Sequence, residues 1–207
     1  MKAFIPFLSL LLLPGCVTPP QLSPPVAARS TDWRVVATGE DRDRLRDWRS
    51  SFTRAVDRAR SAGHSAEIAA EGALLQPDAA LAGGPIPNGR YRCRIIKLGA
   101  KSEGLLDFIS YPAFDCRIQQ ERNLQGFAKL SGSQRPVGLI FPGDSLRQVF
   151  LGTLTLGDEV RAMQYGRDAD RDVAAWVEQI GPARWRMVMP SPRFESLTDV
   201  MELVPAG

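Results

Sequence analysis

The chain is poor in the residues that carry most enzymatic chemistry. Of its 207 residues one is histidine, His64, and three are cysteines. A Ser-His-Asp triad has to use that histidine, and the G-x-S-x-G elbow that presents a nucleophilic serine is absent. His64 follows Gly63, a helix stop, and reads as a polar residue at a helix–helix turn. A single histidine leaves little for a zinc site. Neither G-x-x-x-x-G-K-[ST] nor G-x-G-x-x-G occurs, so no phosphate-cradling glycine loop is written here. The sequence implies no cofactor. Charge of one sign is also scarce: 26 Lys+Arg stand against 23 Asp+Glu, for a formal net charge of +3. The signs are interspersed, which excludes the basic face of a nucleic-acid binder.

Long apolar runs are missing too. A bilayer-spanning helix needs about 20 apolar residues. Residues 3–13 form a run of 11, broken by Pro6 and Ser9 and preceded by Lys2. That is the size of a signal-peptide core. Leu13-Pro14-Gly15-Cys16 follows and resembles a bacterial lipobox, which implies a cysteine that is acylated and becomes the first mature residue. The competing reading is ordinary cleavage after Val26-Ala27-Ala28. The expectation is a signal peptide over 1–15 and a proline-rich tether over 16–31. The partner is then the membrane, through lipid on Cys16, and the compartment is the periplasm. Val17 is not aspartate, which by resemblance to enteric sorting rules implies the outer membrane.

What remains is ordinary for one domain with one core: 44% hydrophobic and 24% charged residues. After Cys16 two cysteines are left, Cys93 and Cys116, an even count in an exported chain. Their contexts repeat as aromatic-x-Cys-Arg-Ile, in "YRCRI" (91–95) and "FDCRI" (114–118). Period two puts Tyr91, Cys93 and Ile95 on one strand face, and Phe114, Cys116 and Ile118 on another. Opposed antiparallel strands would set each aromatic against an isoleucine and join the cysteines. Such a bond contributes on the order of 3 kcal/mol. Two free buried thiols are the alternative.

Residues 32–83 read as helical. Thr38 is an N-cap with acids after it, and Leu45, Trp48, Phe52, Ala55, Val56 and Ala59 recur at helical spacing. Ser65 caps a shorter helix to about Leu75, and Pro77 opens a further turn. "GGPIPNG" (83–89) then breaks the pattern. From 89 to 207 short apolar or alternating runs recur between turn residues, among them 91–98, 137–141, 148–156, 160–165 and 185–189. Residues 173–180 and 197–204 suit a strand or a helix. The fold class expected is α+β: a helical N-terminal segment packed as one unit with an antiparallel β-barrel-like domain.

Several segments carry a family likeness: "GALLQPDAAL" (72–81), "GRYRCRIIKLGAKSEGLLDFISYPAFDCRI" (89–118), "KLSGSQRPVGLIFP" (129–142) and "YGRDADRDVAAWVE" (165–178). They resemble an uncharacterised family of secreted alphaproteobacterial proteins, domain-of-unknown-function family four-eight-nine-three. The resemblance spans nearly the whole mature chain and implies no activity and no functional residues. A second likeness rests on the Gly89-Arg90-Tyr91 opening and the cysteine pair. These resemble calycin-type barrels such as bacterial metalloprotease inhibitors, which act through an extended N-terminal trunk.

Three patches are candidates for chemistry. Asp168, Asp170 and Asp172 alternate and could converge on a hard cation, against the competing reading of a solvated hairpin rim. Ser133, Gln134 and Arg135, in "SGSQRP", could present backbone N–H groups and a guanidinium to an anion or ligand, where the plain reading is a hairpin turn. "RWR" (184–186) places Trp185 inward and both arginines outward if it is a strand. The function expected is a non-enzymatic envelope module binding a small ligand or an envelope protein. The alternatives are a periplasmic protease inhibitor or accessory factor, and a carboxylate-based cell-wall hydrolase.

Overall fold

The computed structural model describes residues 30–207. The expected signal peptide, Cys16, the alternative cleavage site and nearly all of the tether lie outside the described residues. Among the described residues no helix is long and apolar enough to cross a membrane.

Short helices come first. One turn, α1 (Trp33–Val36), is capped by Asp32, which accepts from the Arg34 N–H at 2.9 Å. The helix α2 (Gly39–Arg46) starts at Thr38, whose hydroxyl accepts from the Asp41 N–H at 3.2 Å. The spacing of apolar residues predicts one helix from here to Ala59. Asp47 instead leaves helical geometry (φ −91°, ψ 9°) and a second helix, α3 (Trp48–Ser61), begins. The buried stripe is as expected: Leu45, Trp48, Phe52, Ala55, Val56 and Ala59 all face inward. His64, not Ser65, occupies the cap position of α4 (Ser65–Glu71), and Gly72–Leu75 closes it as a 3₁₀ turn. Pro77 and Asp78 form a single hydrogen-bonded turn rather than a helix, the Ala79 N–H donating to the Gln76 carbonyl at 3.3 Å, and further on the Leu81 N–H bonds to the Gln179 carbonyl at 2.8 Å.

Among the described residues there are nine strands: β1 (Gly89–Ala100), β2 (Phe108–Ser110), β3 (Phe114–Glu121), β4 (Leu124–Lys129), β5 (Gln134–Pro142), β6 (Arg147–Leu156), β7 (Asp172–Gly181), β8 (Arg184–Pro190) and β9 (Ser196–Pro205). Each pairs antiparallel with its neighbour, and β1 pairs with β9 to close an eight-stranded barrel, with β2 an added short strand on β1. Closure leaves no long exposed edge. Residues 160–165 form loop rather than strand, while β7 and β9 settle the two ambiguous segments as strands.

Alternation along each strand builds two cores. One fills the barrel, with Tyr91, Cys116, Phe127, Ile140, Phe150 and Met201 among its residues. Ile86 plugs one end, held where Gln125 Nε2 donates to its carbonyl at 2.6 Å. The other core lies outside the barrel, where α1 to α4 cover Leu139, Phe141, Val149, Leu151, Val188 and Val200. At the paired glycines Gly138 and Gly152 two backbones nearly touch: a Cβ on Gly138 would stand 2.4 Å from the Gly152 Cα.

Cys93 and Cys116 are disulfide-bonded inside the barrel. Their strands are antiparallel, but the register differs from the direct opposition expected. Tyr91 faces Cys116 and Cys93 faces Phe114. An offset of two residues keeps every side chain on its face, so the two sulfurs meet across a diagonal with Cα atoms 6.1 Å apart.

Candidate ligand site at the barrel mouth

Opposite the Ile86 plug the barrel is open. A cavity of about 380 Å³ occupies that mouth. All eight barrel strands send an inward-facing side chain into it, because the same alternation that packs the lumen continues to the rim. Ile95, Phe114, Leu154, Val173 and Met189 make apolar walls, and Lys97, Lys129 and Asp199 supply charge. A concave, mostly apolar site with a few fixed polar groups is the usual form of a small-molecule pocket.

The charges are unevenly matched. Lys97 Nζ lies 3.0 Å from Asp199 Oδ2 and 3.0 Å from Glu195 Oε2. Burial alone would lower the Lys97 ammonium, but the two carboxylates outweigh it and hold the group above the ordinary lysine range. Burial pushes the Asp199 carboxyl up, against the pull of Lys97 and the Ser196 hydroxyl. Lys129 differs. Burial lowers it, the cations Arg135 and Lys97 add to the shift, and its ammonium stands 4.1 Å from the centre of the Phe114 ring.

Glu195 reaches the cavity from the β8–β9 turn, where it and Ser191 take left-handed backbone (φ 68° and 46°). Such strain in non-glycine residues concentrates at functional sites. Backbone bonds hold it in place: the Lys101 N–H donates to the Glu195 carbonyl, and the Ser191 N–H to the Leu197 carbonyl, both at 2.8 Å.

The structure divides the sequence candidates. Ser133 and Gln134 line the cavity. Arg135 does not, because alternation along β5 sends it outward. Its guanidinium donates to the carbonyls of Gly132, Gly157 and Glu159 at 2.7, 2.6 and 2.8 Å. Asp170 and Asp172 reach the cavity rim, while Asp168 binds the Asp170 N–H at 3.0 Å. Arg193 pairs with Asp170 at 3.0 Å, and Asp172 accepts the Gly166 N–H at 2.9 Å. Among the described residues no three His, Cys, Asp or Glu side chains gather where they could hold a metal ion. His64 sits away from the mouth, stacked on Phe108 with Nδ1 3.0 Å from Glu67 Oε1.

Sequence reasoning missed Lys97, Lys129, Glu195 and Asp199. A signal existed for three of them. Lys97 has the parity of Tyr91, Cys93 and Ile95, Lys129 that of Phe127, and Asp199 that of Met201 and Leu203. Each is a charge on an otherwise apolar inward face.

The family model described as "Domain of unknown function (DUF4893)" matches residues 33–203. No curated protein matches the chain, and no solved structure does.

Proposed function

The chain belongs to the DUF4893 family, a domain of unknown function, and from that premise we propose that it is a non-enzymatic ligand-binding module of the cell envelope. It is exported, held in the periplasm by lipid on Cys16, and retained at the outer membrane. Its ligand enters the open end of the barrel, as in calycin-type barrels. The observation that carries this reading is the mouth cavity of about 380 Å³, lined from every strand of a barrel whose other end Ile86 plugs. The Cys93–Cys116 bond supports export, since such bonds persist in oxidising compartments.

Native mass spectra of protein extracted from its own envelope test the reading. The expected result is an acylated protein carrying a bound small molecule. That bound mass disappears when Leu154→Trp fills the mouth. A protein that carries no extra mass, and takes up none from an envelope extract, would overturn it.

One observation favours a second reading, a carboxylate-based hydrolase. Asp199 and Glu195 face the cavity together, each 3.0 Å from the same ammonium, and burial raises the Asp199 carboxyl against the pull of Lys97. Two carboxyls facing one open cleft are what glycoside hydrolysis uses. Release of fragments from purified cell-wall polymer, lost in Asp199→Asn, would establish hydrolysis over simple binding.

A further inference from the structure

We propose that Lys129 and the Ser131-Gly132-Ser133 turn form an anion subsite in the mouth cavity, which takes the carboxylate of a ligand whose body is apolar. This rests on the reading of the mouth as a ligand site.

The mouth holds two lysines with opposite fates. Lys97 is matched twice over, by Asp199 and Glu195. Lys129 has no carboxylate within ion-pair reach and no hydrogen-bond acceptor among the described residues. Its one close partner is the face of Phe114, 4.1 Å from ring centre to Nζ. A half-buried ammonium with no counter-charge is costly unless something supplies one. The cavity is where that counter-charge can enter.

The turn beside Lys129 is shaped to admit it. Gly132 has φ 90°, and a Cβ there would come within 3.4 Å of Lys129 Nζ. Without that Cβ the space beside the ammonium stays open. Arg135 grips the Gly132 carbonyl at 2.7 Å, which fixes the turn and sets a second positive charge behind it. Ser131 and Ser133 line the same cavity and bring hydroxyl donors. Arg135 is turned outward onto the turn's carbonyls, so inside the cavity one ammonium with neutral donors matches a single negative charge, and a carboxylate fits better than a dianionic phosphate. Leu154, Val173 and Met189 leave the rest of the ligand an apolar bed.

Calorimetric titration of the mature protein at neutral pH tests this with three probes of equal chain length: decanoate, 1-decanol and decylamine. A charge-assisted hydrogen bond predicts decanoate binding at least about tenfold tighter than decanol, with decylamine weaker than either. In Lys129→Met the preference for decanoate vanishes while decanol binds as before. Lys129→Arg keeps the charge and retains the preference, and thermal melting of each variant checks that it is folded. Equal affinity of wild-type protein for decanoate and decanol would overturn the anion subsite and leave the mouth as a ligand site. A decanoate preference that survives Lys129→Met would overturn the assignment to Lys129. If none of the three binds, both the subsite and the apolar mouth reading fall.

Discussion

Among the described residues Arg186 is the largest side chain with no exposure, and it is charged. It lies outside the barrel, beneath the helices. Its guanidinium pairs with Glu178 at 2.6 Å and donates to the carbonyls of Ala73, Leu74, Gln76 and Pro77. Glu178 also takes Arg147 at 2.6 Å, so the barrel wall and the end of the helical segment share one buried network. The sequence placed Trp185 inward and Arg184 and Arg186 outward, and alternation alone licensed that. It could not show that "outward" meant buried, because the roof over β8 comes from residues more than a hundred positions earlier. Glu178→Leu leaves two guanidiniums without their carboxylate, and should cost about 3 to 5 kcal/mol. Urea unfolding reads it, and a loss under about 1 kcal/mol would mean the network is slack.

Asp172 gives a prediction in pH at the same scale. Burial raises its carboxyl above the usual aspartate range, Asp41 adds to the shift, and the Gly166 N–H and Arg44 oppose it. The folded protein therefore holds this proton more tightly than the unfolded chain. Between the unfolded value, about 3.9, and the raised folded one, Asp172 makes stability fall as pH rises. Below that window its contribution is fully present; above it the contribution is gone. Asp172→Asn keeps an acceptor for Gly166 and removes the titration. Relative to wild type, its melting temperature should climb as pH rises through the carboxylate range and then level off. A constant difference from pH 3 to 7 would contradict the assignment.

At the scale of elements, the barrel strands were legible wherever alternation met clear turn residues. The run 160–165 failed that test. It has apolar residues at strand spacing, yet Val160 and Met163 are exposed, and no neighbouring strand is free to pair with it once β6 and β7 have paired with each other. Register was beyond reach for a related reason. Shifts of two residues preserve every face, so hydrophobic pattern cannot choose between direct and diagonal cysteines. The bond itself was readable from count and context. Closing residues 93 to 116 spans 23 positions, and loop-closure entropy predicts about 3 kcal/mol for it. Chemical unfolding of oxidised against fully reduced protein measures that directly. Equal midpoints would show that β1 and β3 pair as firmly without the bond.

On the scale of the whole molecule, the two cores make the helices and barrel one folding unit. The lumen core, around Phe127, Phe150 and Met201, is internal to the barrel. The second core exists only because α2 and α3 lie over the outer face of β5 to β9 and the end of β1, where Trp176 Nε1 donates to the Leu45 carbonyl at 2.8 Å. Both serve the mouth, since the β8–β9 turn that carries Glu195 is braced from outside by Ser51, whose hydroxyl donates to the Leu197 carbonyl at 2.9 Å. A chain beginning at Gly84 keeps every barrel strand and loses that cover. It would expose Leu139, Phe141, Val149, Leu151, Val188 and Val200 as one continuous apolar face, and leave Arg186 and Glu178 without their roof. Patches of that kind drive association, so the shortened protein should elute as aggregate in size-exclusion chromatography although its lumen and disulfide are intact. Were it instead monomeric and as stable as the full protein, the helical segment would be an appendage, and the charged mouth would owe its geometry to the barrel alone.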